Sequence, residues 1–279
     1  MGISIVTKAA ELKAQVGAWR AARESVALVP TMGALHAGHL ALVREARARG
    51  ARVVVSIFVN PTQFGPQEDF TRYPRDLEGD RAKLGDGADL IYAPDVKEMY
   101  PEGTIARVNV AGPSEGLESD FRPGHFTGVA TVVARLFEQC RPDIAVFGEK
   151  DYQQLLVVKK MARDLGMTIE IVPVPTVREA DGLAMSSRNA YLSASERKIA
   201  GKLNTILKDA VARAKTGRAI DVVETEAQAQ LLGASFARVD YVAIRDAETL
   251  RPIRDLKKPA RILAAAFLGK TRLIDNLAV

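Results

Sequence analysis

The segment VPTMGALHAGH, residues 29–39, follows an apolar run and precedes an amphipathic one. Its two glycines let the backbone approach a ligand closely, and Pro30 is not expected to continue a central strand, so we predict a tight loop between a strand and a helix. His36 and His39 fall on one face at the start of that helix. Two imidazole donors beside a helix N-terminus are typical of a phosphate-binding site.

Apolar runs rich in β-branched residues alternate with amphipathic stretches around this segment, which predicts βαβ units and a parallel sheet. The predicted strands are residues 26–29, 53–59, 89–92, 144–147 and 168–172. The predicted helices are residues 40–49, 127–139 and 152–165. This pattern favours a Rossmann-like, doubly wound α/β fold that binds ligands at the carboxyl ends of its strands.

The pattern changes after the sequence PVP at residues 173–175. Two helical stretches, 194–215 and 222–232, precede two predicted strands, 238–244 and 261–268. Helices followed by short strands suggest a second, smaller α+β domain. We therefore divide the chain into residues 1–176 and 177–279.

Composition predicts a soluble globular protein. The 279 residues are 47% hydrophobic and 26% charged, with one cysteine and no apolar run long enough to span a membrane. The first residues do not resemble a signal peptide, and a single cysteine suits a reducing cytoplasm. The net charge of +5 is spread along the chain, so it does not by itself predict nucleic-acid binding and equally suits a pocket for phosphates and carboxylates.

Three further segments lie where strands are predicted to end. AMSSRN, residues 184–189, offers two hydroxyls and a guanidinium that suit the outer phosphates of a nucleotide. GEKDYQQ, residues 148–154, places a lysine at a strand end and an aspartate that can cap the next helix or accept from a ribose hydroxyl. NPTQF, residues 60–64, offers neutral amides that suit a small hydroxy acid.

Each segment also has a structural interpretation. The two histidines suit helix capping or packing, the aspartate of GEKD suits an N-cap, and the NPTQ and SSRN segments suit ordinary turns. A zinc site is disfavoured because the one cysteine is distant and no third ligand recurs at close spacing. Cys140 is interpreted as a packing residue. His125 suits either a glycine-hinged flap over the site or a surface loop, and we leave it out of the catalytic set.

The HxGH pattern resembles the signature of the nucleotidyltransferase and class I aminoacyl-tRNA synthetase superfamily, and SSRN resembles its KMSKS-type signature. Six motifs resemble the pantothenate synthetase family in order and approximate spacing, and together they extend from residue 30 to 193. They are PTMGALHAGH, FVNPTQF, RYPRD, FRPGHFTGV, GEKDYQQL and MSSRNAYLS.

This resemblance implies an ATP-dependent ligase that condenses pantoate with β-alanine through a pantoyl-adenylate, releasing AMP and pyrophosphate. Residues 1–176 would bind nucleotide and pantoate, and residues 177–279 would cover the active site. The family uses Mg²⁺ with ATP and is usually a homodimer in the cytoplasm. No nucleic acid or membrane partner is implied.

The resemblance also assigns residues. The catalytic set is His36, His39, Lys150 and Arg188. The ATP-binding set is Pro30, Thr31, Met32, Gly33, His36, His39, Gly148, Lys150, Asp151, Val177, Met185, Ser186, Ser187 and Arg188. The pantoate-binding set is Met32, Asn60, Gln63 and Gln154. Some relatives have adjacent acids where this chain has Gly79 and Asp80, so Asp80 alone is predicted as a magnesium ligand.

Three other functions compete with this interpretation. A nucleotidyltransferase that transfers AMP to a phosphate ester would share the HxGH loop, but it would need a further basic cluster where this chain has neutral amides. An RNA-binding synthetase-like module would need a basic or aromatic-rich region after residue 176, and few aromatics occur there. A nucleotide sensor without turnover is distinguished from an enzyme only by assay.

Overall fold

The computed structural model describes residues 2–103 and 106–279, which contain two sheets. The strands are β1 (Ser4–Val6), β2 (Val26–Thr31), β3 (Arg52–Ile57), β4 (Leu90–Tyr92), β5 (Ile144–Gly148), β6 (Glu170–Val174), β7 (Arg238–Asp246), β8 (Ala260–Leu268) and β9 (Thr271–Ala278). The helices are α1 (Ala9–Ala21), α2 (Ala37–Ala48), α3 (Leu77–Leu84), α4 (Val96–Met99), α5 (Glu118–Phe121), α6 (His125–Cys140), α7 (Tyr152–Asp164), α8 (Ala194–Ala200), α9 (Lys202–Lys215) and α10 (Ile220–Gly233). Strands β1 to β6 form a parallel sheet and β7 to β9 an antiparallel one, which confirms the predicted fold class.

The order of strands in the parallel sheet is β1-β4-β3-β2-β5-β6. From β2 the chain continues towards β3 and β4 on one side, whereas from β5 it continues to β6 on the other. The loops after β2 and β5 therefore diverge at the carboxyl ends of two neighbouring strands. Such a switch point is where open α/β sheets bind ligands.

Apolar side chains cover both faces of this sheet. Helices α1, α6 and α7 pack on one face through residues such as Leu12, Phe137 and Leu155, and α2 and α3 cover the other through Leu42 and Leu84. A separate core lies between α8 to α10 and the antiparallel sheet. The proposed division after residue 176 falls between β6 and the first of these helices.

Pro30 differs from its predicted role, because it lies inside β2, where it pairs with Ser56 of β3. The carbonyl of Val26 accepts from the Asp143 amide on the β5 side, and alternation along a strand directs the Pro30 nitrogen to that same side. Pairing between β2 and β5 ends at Leu28. No ladder hydrogen bond is therefore lost at the proline, and the strand continues to Thr31 before the loop begins.

Other elements also depart from the predicted set. Strands β1 and β9 and helices α1, α3, α4 and α5 are additional. The predicted helical stretch 194–215 is two helices that meet at Gly201, where a side chain would press on Asp181 at 2.7 Å. Cys140 is fully buried at the end of α6, and burial raises the pKa of its thiol to about 12, in keeping with a packing role. Across residues 2–103 and 106–279, no helix is both long and apolar enough to cross a membrane.

Candidate active site

A cavity of about 210 Å³ opens at the carboxyl ends of β2, β3 and β5. Most residues predicted to bind ATP or pantoate line it: Pro30, Thr31, Met32, His36, His39, Asn60, Gln63, Gly148, Lys150, Asp151, Gln154, Val177, Met185, Ser186, Ser187 and Arg188. We call residues 30–39 the HxGH loop and residues 185–189 the SSR loop. Predicted residues outside this lining are Gly33 and Asp80.

The two histidines cap α2. His36 is the N-cap residue, and its Nδ1 accepts the amide of Gly38 at 3.1 Å. His39 lies one turn later, and its Nδ1 accepts the amide of His36 at 3.3 Å. The two rings are neighbours, with centroids 4.1 Å apart. The capping interpretation is therefore correct, and it uses only one nitrogen of each ring.

Burial keeps both rings neutral, and capping decides which ring nitrogen carries the proton. Burial lowers the pKa of His36 to about 4, and Lys150 contributes in the same direction. The pKa of His39 is lowered to about 3 by burial, then by His36 and Lys150. Both imidazoles are thus neutral near pH 7, and since each Nδ1 accepts a hydrogen bond, the single ring proton is on Nε2. In the described part of the chain neither Nε2 has a hydrogen-bond partner, so both N–H groups are available to a ligand in the cavity.

Asp80 supports the HxGH loop from below. Its side chain is 1% exposed, and its two carboxylate oxygens accept the amides of Ala34 at 2.8 Å and Leu35 at 2.7 Å. Gly33 has a positive φ of 81°, and a Cβ there would lie 2.9 Å from the Asp80 carboxylate. Both oxygens hold backbone amides and the side chain is buried, so this geometry supports a structural role for Asp80, and its assignment as a magnesium ligand stays a prediction. No group of three or more His, Cys, Asp or Glu residues among the described ones suits a metal ion.

The turn after β5 brings Lys150 and Asp151 to the cavity. The Lys150 ammonium lies 3.5 Å from an Asp151 carboxylate oxygen and is 19% exposed. Burial raises the pKa of Asp151, but the charges of Lys150 and Arg188 and the contact with Lys150 together outweigh it, so that pKa is lowered overall. The amide of Asn276 in β9 donates to the carbonyls of Glu149 and Lys150, at 2.9 Å each. The C-terminal sheet therefore holds the backbone on which the lysine stands, a contact that the sequence does not predict.

The SSR loop is held by a segment more than a hundred residues earlier. The Tyr73 hydroxyl lies 3.0 Å from the Ser187 hydroxyl. The guanidinium of Arg188 makes two hydrogen bonds to the Asp69 carboxylate, at 2.8 and 2.9 Å. The Ser186 hydroxyl caps the short 3₁₀ turn by accepting the Arg188 amide. Neither Asp69 nor Tyr73 is among the predicted site residues, although Tyr73 belongs to the RYPRD motif.

The NPTQ segment after β3 carries two side-chain amides, that of Gln63 and that of the buried Asn60. Asn60 is 1% exposed, donates to the Gln63 side-chain oxygen at 3.1 Å and accepts from the Tyr100 hydroxyl at 2.9 Å. The Gln63 amide nitrogen lies 3.1 Å from the Met32 sulfur. Both asparagine and glutamine line the cavity, but Asn60 is the residue that orients Gln63.

His125 lies in neither of the two settings expected from the sequence. It is 8% exposed at the first turn of α6, and its Nδ1 lies 2.9 Å from the Gln63 carbonyl. Its Nε2 lies 3.2 Å from Arg122, and burial, followed by the charge of Arg122, lowers the pKa of His125 to about 4. One turn later, a Cβ at Gly128 would overlap the Thr62 carbonyl. This motif therefore packs the NPTQ segment against α6 and is not a flap.

Two adjacent glutamines in α7 have different environments. Gln153 is 3% exposed, accepts the amide of Glu118 and donates to the carbonyls of Pro113 and Gly116. Gln154 lines the cavity, and its side-chain amide has no hydrogen-bond partner among the described residues. Only the second glutamine is therefore available to a ligand.

A second cavity, of about 420 Å³, adjoins the first and shares Arg122, Lys150, Gln154 and Arg188 with it. Its far wall comes from the antiparallel sheet and includes Arg272. Glu118 of α5 also lines this cavity, and its buried carboxylate accepts from Arg272 and from the Tyr241 hydroxyl, each at 2.8 Å. It therefore links α5 to the antiparallel sheet. The C-terminal part of the chain thus closes one side of the site.

The fold and the site together define an α/β protein with HxGH and SSR loops facing one crevice. A sequence profile described as pantoate-beta-alanine ligase matches residues 4–278. The chain belongs to the pantoate-β-alanine ligase family, which confirms the resemblance drawn from its motifs and makes it an enzyme.

Individual relatives agree with this assignment. The pantothenate synthetase of Paramagnetospirillum magneticum is 56% identical over 278 residues, which cover 99% of this chain and 98% of that protein. The crystal structure of pantothenate synthetase from Thermus thermophilus is 52% identical with a TM-score of 0.92, covering 99% of both chains. The pantoate-beta-alanine ligase of Francisella tularensis, described as complexed with beta-gamma ATP and beta-alanine, is 31% identical with a TM-score of 0.84, covering 99% of this chain and 97% of that one.

Proposed function

We propose that this enzyme condenses pantoate with β-alanine in an ATP-dependent reaction that passes through a pantoyl-adenylate. The observation that supports this most directly is the division of one cavity into two chemical sides. His36, His39, Lys150 and Arg188 supply N–H donors and positive charge on one side, whereas Gln63 supplies a neutral amide on the other. The first side suits a nucleoside triphosphate and the second a small hydroxy acid.

On the nucleotide side, each group has a distinct role. The Nε2–H groups of His36 and His39 are neutral donors that can hold phosphate oxygens without placing two cations in contact. Lys150 brings a positive charge to the carboxyl end of β5, where it can stabilise charge that builds up on the α-phosphate. Ser186, Ser187 and Arg188 would hold the outer phosphates, and Asp151 the ribose.

On the pantoate side, Gln63 and Gln154 would hold the hydroxy acid, with Met32 and Asn60 completing the pocket. A pantoate carboxylate oxygen then attacks the α-phosphorus in line. A new P–O bond forms, the bond to the β-phosphate bridging oxygen breaks, and pyrophosphate leaves with the electron pair. The protein supplies no nucleophile, so its contribution is positioning and stabilisation of the transferring phosphorus.

In the second step the amine of β-alanine attacks the acyl carbon. The C–N bond forms, the bond between that carbon and the phosphate oxygen breaks, AMP leaves, and the amine nitrogen loses a proton. The Francisella tularensis relative, whose description names ATP and β-alanine, supports both as substrates of this chain. We place magnesium in the reaction as part of the MgATP substrate, because Asp80 is engaged with the backbone and no metal-binding cluster occurs among the described residues.

We also retain the proposals of a homodimer in the cytoplasm with no nucleic acid or membrane partner, which the family resemblance implies. Light scattering of the purified protein at several concentrations tests the homodimer. A mass equal to one chain of 30.2 kDa throughout would contradict it.

The proposed reaction is tested by its products. Incubation with ATP, magnesium, pantoate and β-alanine should yield pantothenate, AMP and pyrophosphate in equal amounts by mass spectrometry. Omission of β-alanine should leave a single turnover of enzyme-bound pantoyl-adenylate. Formation of ADP and phosphate would contradict the proposal, because cleavage would then occur at the γ-phosphate.

The pantoate pocket is tested by calorimetric titration. Gln63→Ala and Gln154→Ala should each weaken pantoate binding by about 1 to 3 kcal/mol, the usual cost of leaving a buried polar partner unpaired, with little change in ATP binding. Gln153→Ala is the matched control, since its amide faces backbone carbonyls away from the cavity. It should lower the free energy of unfolding and leave pantoate affinity unchanged. Equal pantoate affinity in all three variants would favour a general nucleotidyltransferase instead.

A further inference from the structure

The carboxylate of Asp69 contacts a phosphate-binding group, Arg188, but has no role in the proposed reaction. Its oxygens accept from Nε and Nη2 of Arg188 at 2.9 and 2.8 Å, across 119 residues of sequence. The side chains are 10% and 27% exposed, so this pair is shielded from water more than most ion pairs of the molecule. Burial raises the pKa of Asp69, but the hydrogen bond and charge of Arg188 outweigh it, so the carboxylate stays ionised.

The geometry of the pair leaves one edge of the guanidinium free. Arginine presents two edges with parallel N–H groups, one formed by Nε and Nη2 and the other by Nη1 and Nη2. Asp69 occupies the first edge. Within residues 2–103 and 106–279, Nη1 of Arg188 has no acceptor, so the second edge remains available to a phosphate in the cavity.

The same segment fixes the rest of the SSR loop. The guanidinium carbon of Arg188 lies 5.8 Å from the centre of the Tyr73 ring, and the Tyr73 hydroxyl lies 3.0 Å from that of Ser187. Arg75 braces this segment by donating to the carbonyls of Phe70 and Tyr73, at 2.9 and 3.1 Å. The aspartate is therefore part of a stiff support and not a side chain that meets the arginine by chance.

Charge and orientation predict opposite effects of Asp69 on ATP. A carboxylate beside a triphosphate repels it, so removal of the negative charge alone would tighten ATP binding. Loss of the bidentate contact would instead leave the Arg188 side chain free to adopt several rotamers. Phosphate binding would then have to order that side chain, so ATP binding would weaken. The sign of the change in ATP affinity therefore distinguishes the two effects.

We propose that Asp69 is a positioning residue for the triphosphate, acting through Arg188 by fixing its guanidinium so that the free edge faces the phosphates. This inference rests on the proposed function, because it takes Arg188 to be a phosphate-binding residue. Asp69 does not line the 210 Å³ cavity itself, in keeping with a role that passes through the arginine.

The test uses Asp69→Asn, Arg188→Ala and the double variant in the full-length enzyme. Asp69→Asn should raise KM for ATP about tenfold and leave KM for pantoate unchanged. In the Arg188→Ala background it should cause no further loss, because its effect passes through the arginine. Glu224→Gln is the matched control, since Glu224 pairs with Arg245 at 2.8 Å with similar exposure and neither residue lines either cavity, and it should leave KM for ATP unchanged.

Each contrary result has a specific meaning. Unchanged or tighter ATP binding in Asp69→Asn would overturn the proposal and make Asp69 a competitor of the phosphates. Additive losses in the double variant would also overturn it, since Asp69 would then act independently of Arg188. Normal ATP binding in Arg188→Ala would contradict the proposed function instead. If Asp69→Asn does not fold, Asp69→Glu replaces it: it retains the negative charge but moves the carboxylate by one methylene, so it should also raise KM for ATP, and an unchanged KM would overturn the proposal.

Discussion

The HxGH loop and the SSR loop face the same cavity but are held in opposite ways. The HxGH loop is fixed by its own residues and by a near neighbour: His36 and His39 cap α2, and Asp80, 46 residues after Ala34, holds the backbone beneath. The SSR loop has local supports too, the Ser186 cap and the Asn189 amide that donates to Glu179. Ser187 and Arg188 themselves are held by Tyr73 and Asp69, which lie 114 and 119 residues earlier.

This difference separates two ways of preparing the proposed phosphate site. In the HxGH loop one ring supplies both support and donor, because Nδ1 caps the helix and Nε2–H faces the cavity. In the SSR loop these tasks belong to different residues, because Ser187 and Arg188 face the cavity while Tyr73 and Asp69 support them. Substitutions should therefore damage fold and function together in the first loop and separately in the second.

The largest expected effect comes from dividing the two tasks of His39. An asparagine oxygen can replace Nδ1 as an acceptor, so His39→Asn should retain the cap and lose the donor, slowing adenylate formation about a hundredfold with an unchanged thermal midpoint. His39→Gln can place an amide N–H near the position of Nε2 but loses the cap, so it should retain more activity and melt earlier. Stopped-flow measurement of pyrophosphate release and calorimetry of both variants provide the check. Similar activity and stability in the two variants would show that the tasks are not divided between the nitrogens.

A second test concerns the support beneath the HxGH loop. Asp80→Asn places an amide N–H₂ against the backbone N–H of Ala34 or Leu35, leaving one buried donor unpaired, and should lower the free energy of unfolding by about 2 kcal/mol. Glu78→Gln, an exposed change on the same helix, serves as the control and should leave stability unchanged. Urea denaturation measures both. If Asp80→Asn is as stable as Glu78→Gln, the loop does not depend on this carboxylate.

The two loops should also differ in their response to acid. The pKa of His39 is about 3 in the folded protein and near 6.5 when unfolded, so below pH 6.5 the unfolded chain takes up a proton that the folded one resists. The titration of this histidine has no effect on stability above pH 6.5, and stability is lost as pH falls from 6.5 towards 3, by about 1 kcal/mol per pH unit. His39→Asn should therefore lose correspondingly less stability between pH 6.5 and 5 in urea denaturation. Ser186→Ala lies in the loop without a histidine, so its free energy of unfolding should fall with pH as that of the wild type does. If all three proteins lose the same stability between pH 6.5 and 5, the low pKa of His39 is contradicted.

Much of the fold follows from local patterns, and its exceptions have local reasons. Strand β1 has only three residues, too few for a periodic pattern. Sequence periodicity does not predict strand β9, because Asp275 and Asn276 interrupt its apolar residues, yet both are 3% exposed. Arg178 makes two hydrogen bonds to Asp275, and Asn276 donates to the turn that carries Lys150. Tertiary partners therefore allow these polar residues in a buried strand, and sequence periodicity does not reveal such partners.

Prediction of the site from the sequence has the same limit. Most cavity-lining residues occur in short motifs near strand ends, so the sequence predicts them, and the capping role of the histidines follows from their spacing. The roles of Asp69, Tyr73 and Asn276 depend on contacts between segments more than a hundred residues apart. Asp80 shows the same limit, because the sequence suggests a metal ligand and does not reveal that the carboxylate accepts two backbone amides of the HxGH loop.

The smallest expected effect comes from removing one supporting hydroxyl on each side of the cavity. Tyr73→Phe removes the hydroxyl that contacts Ser187 but retains the ring beneath Arg188, so KM for ATP should rise only about threefold, the equivalent of roughly 0.6 kcal/mol for one neutral hydrogen bond. Tyr100→Phe is the matched variant on the other side, since the Tyr100 hydroxyl donates to Asn60, which orients Gln63. It should raise KM for pantoate by a similar factor and leave KM for ATP unchanged. Steady-state kinetics with each substrate varied in turn measures all four values. If both variants shift both constants equally, the two hydroxyls support the cavity as one unit, and the separation between the SSR loop and the pantoate pocket is wrong.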